Sequence, residues 1–186
     1  LNLLGKHNTL NASAAIIVAF LLEIPINQIK SALKNFQGVK RRFTFLGKIK
    51  KCKVYDDYAH HPTEIKASYE IAKHLAEKRI IVVFQPHRFS RTYSLYKDYL
   101  KILAKIDVLF VSDIYSAGEQ SIKNLSSLKL VKDLKKTNSK EIYYLKEPKK
   151  IYQVLSKYYE EKNLIIFMGA GSVSQWAHKL MKKNDI

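Results

Sequence analysis

Three short apolar runs, Ile80–Phe84, Val108–Ser112 and Leu164–Met168, constrain this chain more than any other feature. Each carries almost no polar side chain, and each gives way to a stretch with helical spacing. A strand that is apolar on both faces belongs inside a parallel sheet, with helices packed above and below. Lys53–Asp57 and Glu141–Leu145 add two further strand patterns. Helical patterns fill the intervals: Pro62 to about Glu77, Thr92–Ala104, Ser126–Lys136, Lys149–Glu161 and Ser172–Lys183. Strand alternating with helix in this way predicts an α/β fold, a mostly parallel sheet with helices on both faces. Phe43–Ile49 alternates and pairs with Lys53–Asp57 as an antiparallel N-terminal strand pair around Gly47–Cys52. Lys132–Lys140 is the most loop-like charged stretch.

Two short helices precede the sheet, Asn11–Glu23 and Ile26–Phe36, separated by Pro25 and closed by Gly38. Ile29, Ala32, Leu33 and Phe36 form one stripe of the second. These helices are short of partners. The expected division is therefore 1–37 as the tail of one domain and 38–186 as a second domain with its own sheet.

The chain of 186 residues is long enough for one domain plus a fragment. The single cysteine, Cys52, excludes an internal disulfide framework and a cysteine metal cluster, and reads as a small, partly buried side chain. The start has no secretory pattern, and the longest apolar run, Ala14–Leu22, is too short to span a bilayer. A cytoplasmic location and no membrane partner are expected. The net charge of +17 comes from lysines dispersed along the whole chain. No specific nucleic-acid partner is expected from that dispersal, and a basic field equally favours an anionic nucleotide. The competing reading, a basic nucleic-acid-binding α/β module, requires a focused stripe with exposed aromatics and steep salt dependence.

The chemistry-bearing residues gather just beyond two strand patterns. Residues 56–64 read Asp-Asp-Tyr-Ala-His-His-Pro-Thr-Glu, and residues 85–92 read Gln-Pro-His-Arg-Phe-Ser-Arg-Thr. Open α/β sheets bind ligands at the carboxyl ends of their strands. Two acids and two imidazoles at a strand-to-helix turn are hard to explain by packing. His61 and Glu64 share a helix face, but with no third ligand in reach no metal site is expected. Of five arginines, Arg41, Arg42, Arg88 and Arg91 lie in compact clusters while lysine supplies the bulk of the charge. That pattern suits sites needing a planar fork for carboxylate or phosphate. Arg88 and Arg91 share a helix face if a helix has begun there, and a short loop if not. Arg41-Arg42-Phe43 reads either as a phosphate clamp or as a solvated pair. Gly5-Lys6-His7-Asn8 with Asn11 offers amides that match an adenine edge, or a cap at Asn11. Gly169-Ala170-Gly171 has Ser174 where a dinucleotide loop needs a third glycine, so it reads as tight strand–helix packing.

Taken together and in this order, these motifs resemble the Mur ligases, the ATP-dependent amide-forming enzymes of peptidoglycan precursor synthesis. Gly5–Ala15 is similar to the family's Gly-x-His-Asn-x-x-Asn-x-x-Ala-Ala helix, and Gly38-Val39-Lys40-Arg41-Arg42-Phe43 to the start of its C-terminal domain. Asp56–Ile65 and Phe84–Thr92 resemble its most diagnostic strings, and Asp113–Glu119 fits as well, with Tyr115, Ala117, Gly118 and Glu119. The resemblance is strong to about residue 120 and a general fold pattern beyond. Ser172 departs from the acid the family would place there.

The resemblance implies a Rossmann-like C-terminal domain over 38–186, after the end of a central ATP-binding domain over 1–37. The UDP-binding domain, the P-loop and the central magnesium ligands would lie outside this chain, which alone is expected to fold without ligase activity. The branch it resembles most uses ATP, with Mg2+ held mainly by other domains, to join L-alanine to UDP-N-acetylmuramate through an acyl phosphate. In that picture Asn8 and Asn11 face the adenine, Arg42 reaches the phosphates, and Asp57 contacts the nucleotide or its ribose. Tyr58, His60, Arg88 and Arg91 line the amino-acid pocket, with His60, Arg88 and Arg91 as the catalytic set. Oligomeric state is left open. A related peptide-recycling branch shares the first string but would carry Pro-Arg-Ser-x-Thr in the second, where this chain has His87-Arg88-Phe89-Ser90-Arg91-Thr92.

Overall fold

A computed structural model describes residues 3–137 and 140–184. It divides into two compact units, one ending at Lys40 and one beginning at Arg41.

The first unit holds α1 (Lys6–Leu21) and α2 (Ile26–Asn35). Helix α1 starts at Lys6 rather than Asn11, with Gly5 as its N-cap at φ 97°. The polar Lys6-His7-Asn8 turn hides the start from an apolar-periodicity reading, and Asn11 lies inside the helix rather than capping it. Asn8 Nδ2 donates to the Leu4 carbonyl at 2.7 Å. Helix α1 is apolar around most of its circumference, yet none of its residues is buried among the described residues. Of the expected α2 stripe only Ile29 is buried, and Phe36 is exposed beyond the helix end.

The second unit is built on six strands in the order β1-β2-β6-β3-β4-β5. They are β1 (Thr44–Ile49), β2 (Cys52–Asp57), β3 (Ile80–Phe84), β4 (Val108–Ser112), β5 (Glu141–Leu145) and β6 (Leu164–Met168). Only β1 and β2 pair antiparallel; the other neighbours are parallel. Between them lie α3 (Pro62–Leu75), α4 (Phe89–Ser94), α5 (Tyr96–Leu103), α6 (Ser127–Thr137) and α7 (Ile151–Leu155), and α8 (Val173–Asn184) follows β6.

The continuous apolar strands bury both faces. Ile80, Val82 and Phe84 pack with Ile65 of α3, Tyr99 and Leu103 of α5 and Leu130 of α6. Ile81 and Val83 pack on the other side with Ile151 and Leu155 of α7 and Val173 and Ala177 of α8. Cys52 lies fully buried in the second layer, where desolvation pushes its thiol up to about 12.

This arrangement creates the opening the site needs. Strand β6 lies between β2 and β3. The helices that follow β2 and β3 pack on one face, and α8, which follows β6, packs on the other. Adjacent strands whose chains leave in opposite directions part at their carboxyl ends, where such sheets bind ligands.

Two helices of this unit differ from expectation, while α6 falls where Ser126–Lys136 placed it. The helix expected from Thr92 begins at Phe89 and breaks at Leu95 into α4 and α5. Its early start is held from a distance: Glu119 accepts from the Ser90 N–H at 2.9 Å and the Ser90 hydroxyl at 2.7 Å. The helix expected over Lys149–Glu161 is a short α7 between 3-10 turns at Pro148–Lys150 and Ser156–Tyr158. Much of the charged Lys132–Lys140 stretch is helical, because Leu130, Val131 and Leu134 anchor α6 in the core; residues 138 and 139 lie outside the described residues.

Candidate active site at the carboxyl ends of the strands

The turn after β2 is held from below. Asp57 is 3% exposed and accepts from the Ala59 N–H at 2.9 Å and from the Ser68 hydroxyl. Burial raises its proton affinity, while those two hydrogen bonds and the nearby Arg42 charge oppose the shift. Both carboxylate oxygens are thus engaged inside the fold. Asp57 therefore holds the turn, and each of its oxygens keeps a further lone pair beside the carboxyl end of β2. Glu64 accepts from the N–H groups of His60 at 3.0 Å and His61 at 3.2 Å. With the His61 side chain accepting from the Thr63 N–H, this is a capping box with Pro62 in the first turn of α3. That is why His61 and Glu64 stand together.

His60 is oriented by this frame. Its Nδ1 lies 2.9 Å from the Tyr58 carbonyl. A carbonyl only accepts, so Nδ1 carries the proton and, in the neutral ring, Nε2 holds the lone pair. The buried Tyr99 hydroxyl donates to the His60 carbonyl at 2.5 Å. The Tyr58 ring stands edge-on to His60 with centroids 5.2 Å apart.

The turn after β3 brings the guanidinium groups. Arg88 is the N-cap of α4 at φ 72°, exposed, and Arg91 lies within that helix. Arg88 thus stands just outside the helix and Arg91 within its first turn. Arg91 Nη1 donates to His87, 3.3 Å from both its Nδ1 and its carbonyl oxygen. The His87 ring stacks on Tyr115 at 5.4 Å and lies 5.8 Å from His60. Tyr115 is fixed by hydrogen bonds of 2.8 Å from its N–H to Pro86 O and from the Arg88 N–H to its carbonyl.

His87 is neutral in this setting. Desolvation first, then the charges of His60, Arg91 and Arg88, hold its proton affinity below the ordinary value of 6.5. The folded chain thus binds fewer protons than the unfolded chain below about pH 6.5, and the stability this gives above that pH is lost on acidification. Between pH 7 and pH 5, His87→Gln is therefore expected to lose less stability in urea titrations than the unaltered protein. An equal loss in both would contradict the assignment.

Positive-φ backbone occurs at this end of the sheet, as it does at Lys50 and Lys162 at the other. Arg41, Phe43, Arg88 and Ala117, none of them glycine, have φ of 60°, 49°, 72° and 52°. Thr44 pairs with Asp56 at the last turn of β2, so residues 41–43 belong to the same end. Such conformations cost on the order of 1–3 kcal/mol each and cluster at functional sites.

The turn after β6 closes the group. Gly171 approaches Gln85 and Tyr115 so closely that a Cβ would lie 2.5 Å from Gln85 Oε1 and 2.8 Å from Tyr115 Cγ. Gln85 in turn accepts from the Val173 N–H at 3.1 Å. The glycines thus serve packing. Arg41 Nη2 donates to the Gly169 carbonyl at 2.6 Å, and its guanidinium lies 4.7 Å from the Tyr58 ring centroid. Arg42 lies 5.7 Å from the same ring centroid and 3.7 Å from Glu64, with a side chain 51% exposed.

The fold therefore brings together Tyr58, His60, Arg88 and Arg91, with Arg42 beside them. Asn8 and Asn11 belong to α1 in the first unit. Sequence reasoning passed over His87 as a site residue, although it stood inside the second string. It also passed over the contacts of Tyr115, Arg41 and Asp56, which only the folded sheet reveals. A separate surface cavity of about 300 Å³, lined by Lys78, Arg79, Glu141, Lys157, Tyr158, Glu160 and Asn163, lies at the amino ends of the strands. There Arg79 pairs with Glu141 and Lys78 with Glu160.

Comparisons with known proteins bear on this geometry. Residues 41–171 match the family model described as Mur ligase, glutamate ligase domain. A UDP-N-acetylmuramate--L-alanine ligase of Hydrogenobaculum sp. is 42% identical over 179 residues, 96% of this chain and 39% of that protein. The crystal structure of a UDP-N-acetylmuramate-alanine ligase from Thermotoga maritima superposes with a TM-score of 0.79 at 29% identity, covering 100% of this chain and 39% of that one. A murein peptide ligase from Psychrobacter arcticus shares the fold, with a TM-score of 0.70 at 22% identity over 97% of this chain and 37% of that one. The chain spans about two fifths of the length of these relatives. With its diagnostic strings assembled at one end of a matching sheet, the chain belongs to the Mur ligase family.

Proposed function

We propose that this chain is the C-terminal part of a ligase that uses ATP to join L-alanine to UDP-N-acetylmuramate. The observation that carries the reading is the group of His60, His87, Arg88 and Arg91 at the carboxyl ends of β2 and β3, in a chain 42% identical to a protein of that name. In this reading the γ-phosphoryl of ATP passes to the lactyl carboxylate, giving an acyl phosphate and ADP. The alanine amine attacks the acyl carbon, and the tetrahedral intermediate collapses to the amide with loss of phosphate. Arg91 grips the alanine carboxylate with a planar fork, and Arg88 adds positive charge beside it. His60, its ring set by the Tyr58 carbonyl, positions the amine. Tyr58 walls the pocket, and Arg42, half-exposed, meets the nucleotide phosphates. Asn8 and Asn11 serve the adenine. Asp57 acts through the turn it holds.

Mg2+ accompanies ATP in such chemistry, but the residues here do not offer it a ligand set. Asp57, Glu64 and Glu119 are engaged in hydrogen bonds within the fold, so no step is assigned to the ion. The uncovered apolar residues of α1 fit a segment that packs against further chain. No described helix is long and apolar enough to cross a membrane, which suits the proposed cytoplasmic reaction.

The test is phosphate release by the complete ligase carrying this segment, with ATP and UDP-N-acetylmuramate. L-Alanine is expected to support it and the peptidoglycan tripeptide is not. Turnover with the tripeptide alone would replace this reading by the peptide-recycling one.

A further inference from the structure

We propose that Arg41 and Asp56 form a buried relay that positions Tyr58 and the turn after β6 for the amino-acid half of the reaction. The inference rests on the ligase reading above and adds positioning residues to it.

Asp56 is 1% exposed. Its Oδ2 accepts from the Ser174 hydroxyl at 2.6 Å and faces Arg41 Nε at 3.8 Å and His178 Nε2 at 3.7 Å. Yet Asp56 Oδ1 and Arg41 Nε are both buried without a hydrogen-bond partner among the described residues. Asp56 is buried and the Arg41 side chain 29% exposed, so a spare lone pair and a spare N–H in their shared interior make the pair a poor structural element, and apolar packing of equal volume would serve stability as well or better. Its retention calls for another use, and the contacts of Arg41 supply one.

Arg41 touches three segments of the site. Its guanidinium faces Asp56 on β2, donates to Gly169 O after β6 and lies over the Tyr58 ring. Its own carbonyl accepts the Tyr58 N–H at 2.7 Å. The backbone is held at φ 60° to allow this. Arg42, one residue on, pairs with Glu64 and lies farther from the Tyr58 ring, 5.7 Å from its centroid, with a side chain 51% exposed. Arg42 is thus the more open of the two to an external anion, whereas Arg41, 29% exposed, makes its contacts to Asp56 and Gly169 within the fold. Asp56, held by Ser174 of α8, sets the angle of the Arg41 fork, and the fork sets the Tyr58 ring and the Gly169 carbonyl. Both are assigned as positioning residues, since their contacts run to Gly169, Tyr58 and Ser174 within the fold.

The experiment is steady-state kinetics of the complete ligase with Arg41→Lys, Asp56→Asn, the double variant and Ser174→Ala. Lysine keeps the charge, but one ammonium cannot face Asp56, donate to Gly169 and lie flat on Tyr58 together. Each of the first two is expected to raise KM for L-alanine about tenfold, with KM for ATP moving less than about twofold and kcat little changed. The double variant is expected to be no worse than the worse single one, because both break one relay. Ser174→Ala, the mildest change, is expected to raise the alanine KM about two- to threefold, and it carries the test if the others do not fold. Equal effects on alanine and ATP, multiplying effects in the double variant, or an unmoved alanine KM in Ser174→Ala would each overturn the relay alone. An unaltered enzyme without alanine-dependent phosphate release would overturn the ligase reading, and the relay's role with it.

Discussion

Replacing Arg91 with lysine in the complete ligase is expected to raise the KM for L-alanine strongly while that for ATP barely moves. The change keeps the charge and removes the planar fork. In the fold Arg91 already donates to the neutral His87 ring, so one edge of the guanidinium is fixed and the other is left for a carboxylate. An ammonium cannot serve both. Losing part of a charge-assisted pair at a largely desolvated site costs about 1.5–3 kcal/mol, roughly ten- to a hundredfold in kcat/KM. Arg42→Lys is expected to show the opposite pattern and weaken ATP use first. Unchanged alanine kinetics in Arg91→Lys would move the carboxylate site to Arg88 or out of this segment.

Gly169→Ala is expected to cause a large loss of stability, because strain and close approach coincide there. Gly169 sits at φ 148°, and a Cβ there would lie 2.8 Å from the Gln85 carbonyl oxygen and 3.1 Å from Val173 Cγ1. Neither side can yield easily. The Gly169 N–H donates to Asp57 O at 3.0 Å, and the Gln85 N–H to Met168 O at 2.9 Å. Backbone strain of about 1–3 kcal/mol and overpacking of similar size give together about 2–6 kcal/mol. Gly118 is the control. It also has positive φ, 87°, but a Cβ there meets nothing within 4 Å. Gly118→Ala should therefore cost only the backbone part, about 1–2 kcal/mol. Urea unfolding of the two variants checks this, and similar losses in both would remove the close-approach argument.

Much of the sheet was legible because its strands are uniform. Ile80–Phe84, Val108–Ser112 and Leu164–Met168 fall where the apolar runs placed them, and the edge strand Glu141–Leu145 where its own pattern did. Burial on both faces leaves a short, unbroken pattern that local reading recovers. The misread boundaries depended on distant partners. The start of α4 rests on Glu119, and no local signal near Ser90 announces it. The start of α1 rests on Gly5, where polar residues hid the helical period. The same division holds at the site. Residue types pointed to Tyr58, His60, Arg88 and Arg91, because imidazole and guanidinium groups after apolar strands have few packing uses. They gave no sign that Asp57 is also tied to Ser68 in the next helix. They also missed Arg41 and Asp56, whose link runs through residues 128 and 118 positions away in the chain.

The account stands on one claim, that the carboxyl ends of β2, β3 and β6 hold the amino-acid substrate. The most direct measurement is a crystal structure of the complete ligase with L-alanine and a non-hydrolysable ATP analogue. The account predicts the alanine carboxylate within hydrogen-bond distance of the Arg91 guanidinium, with its amine on the His60 side of the pocket. Alanine bound away from both residues, with Arg91 still turned only toward His87, would contradict it.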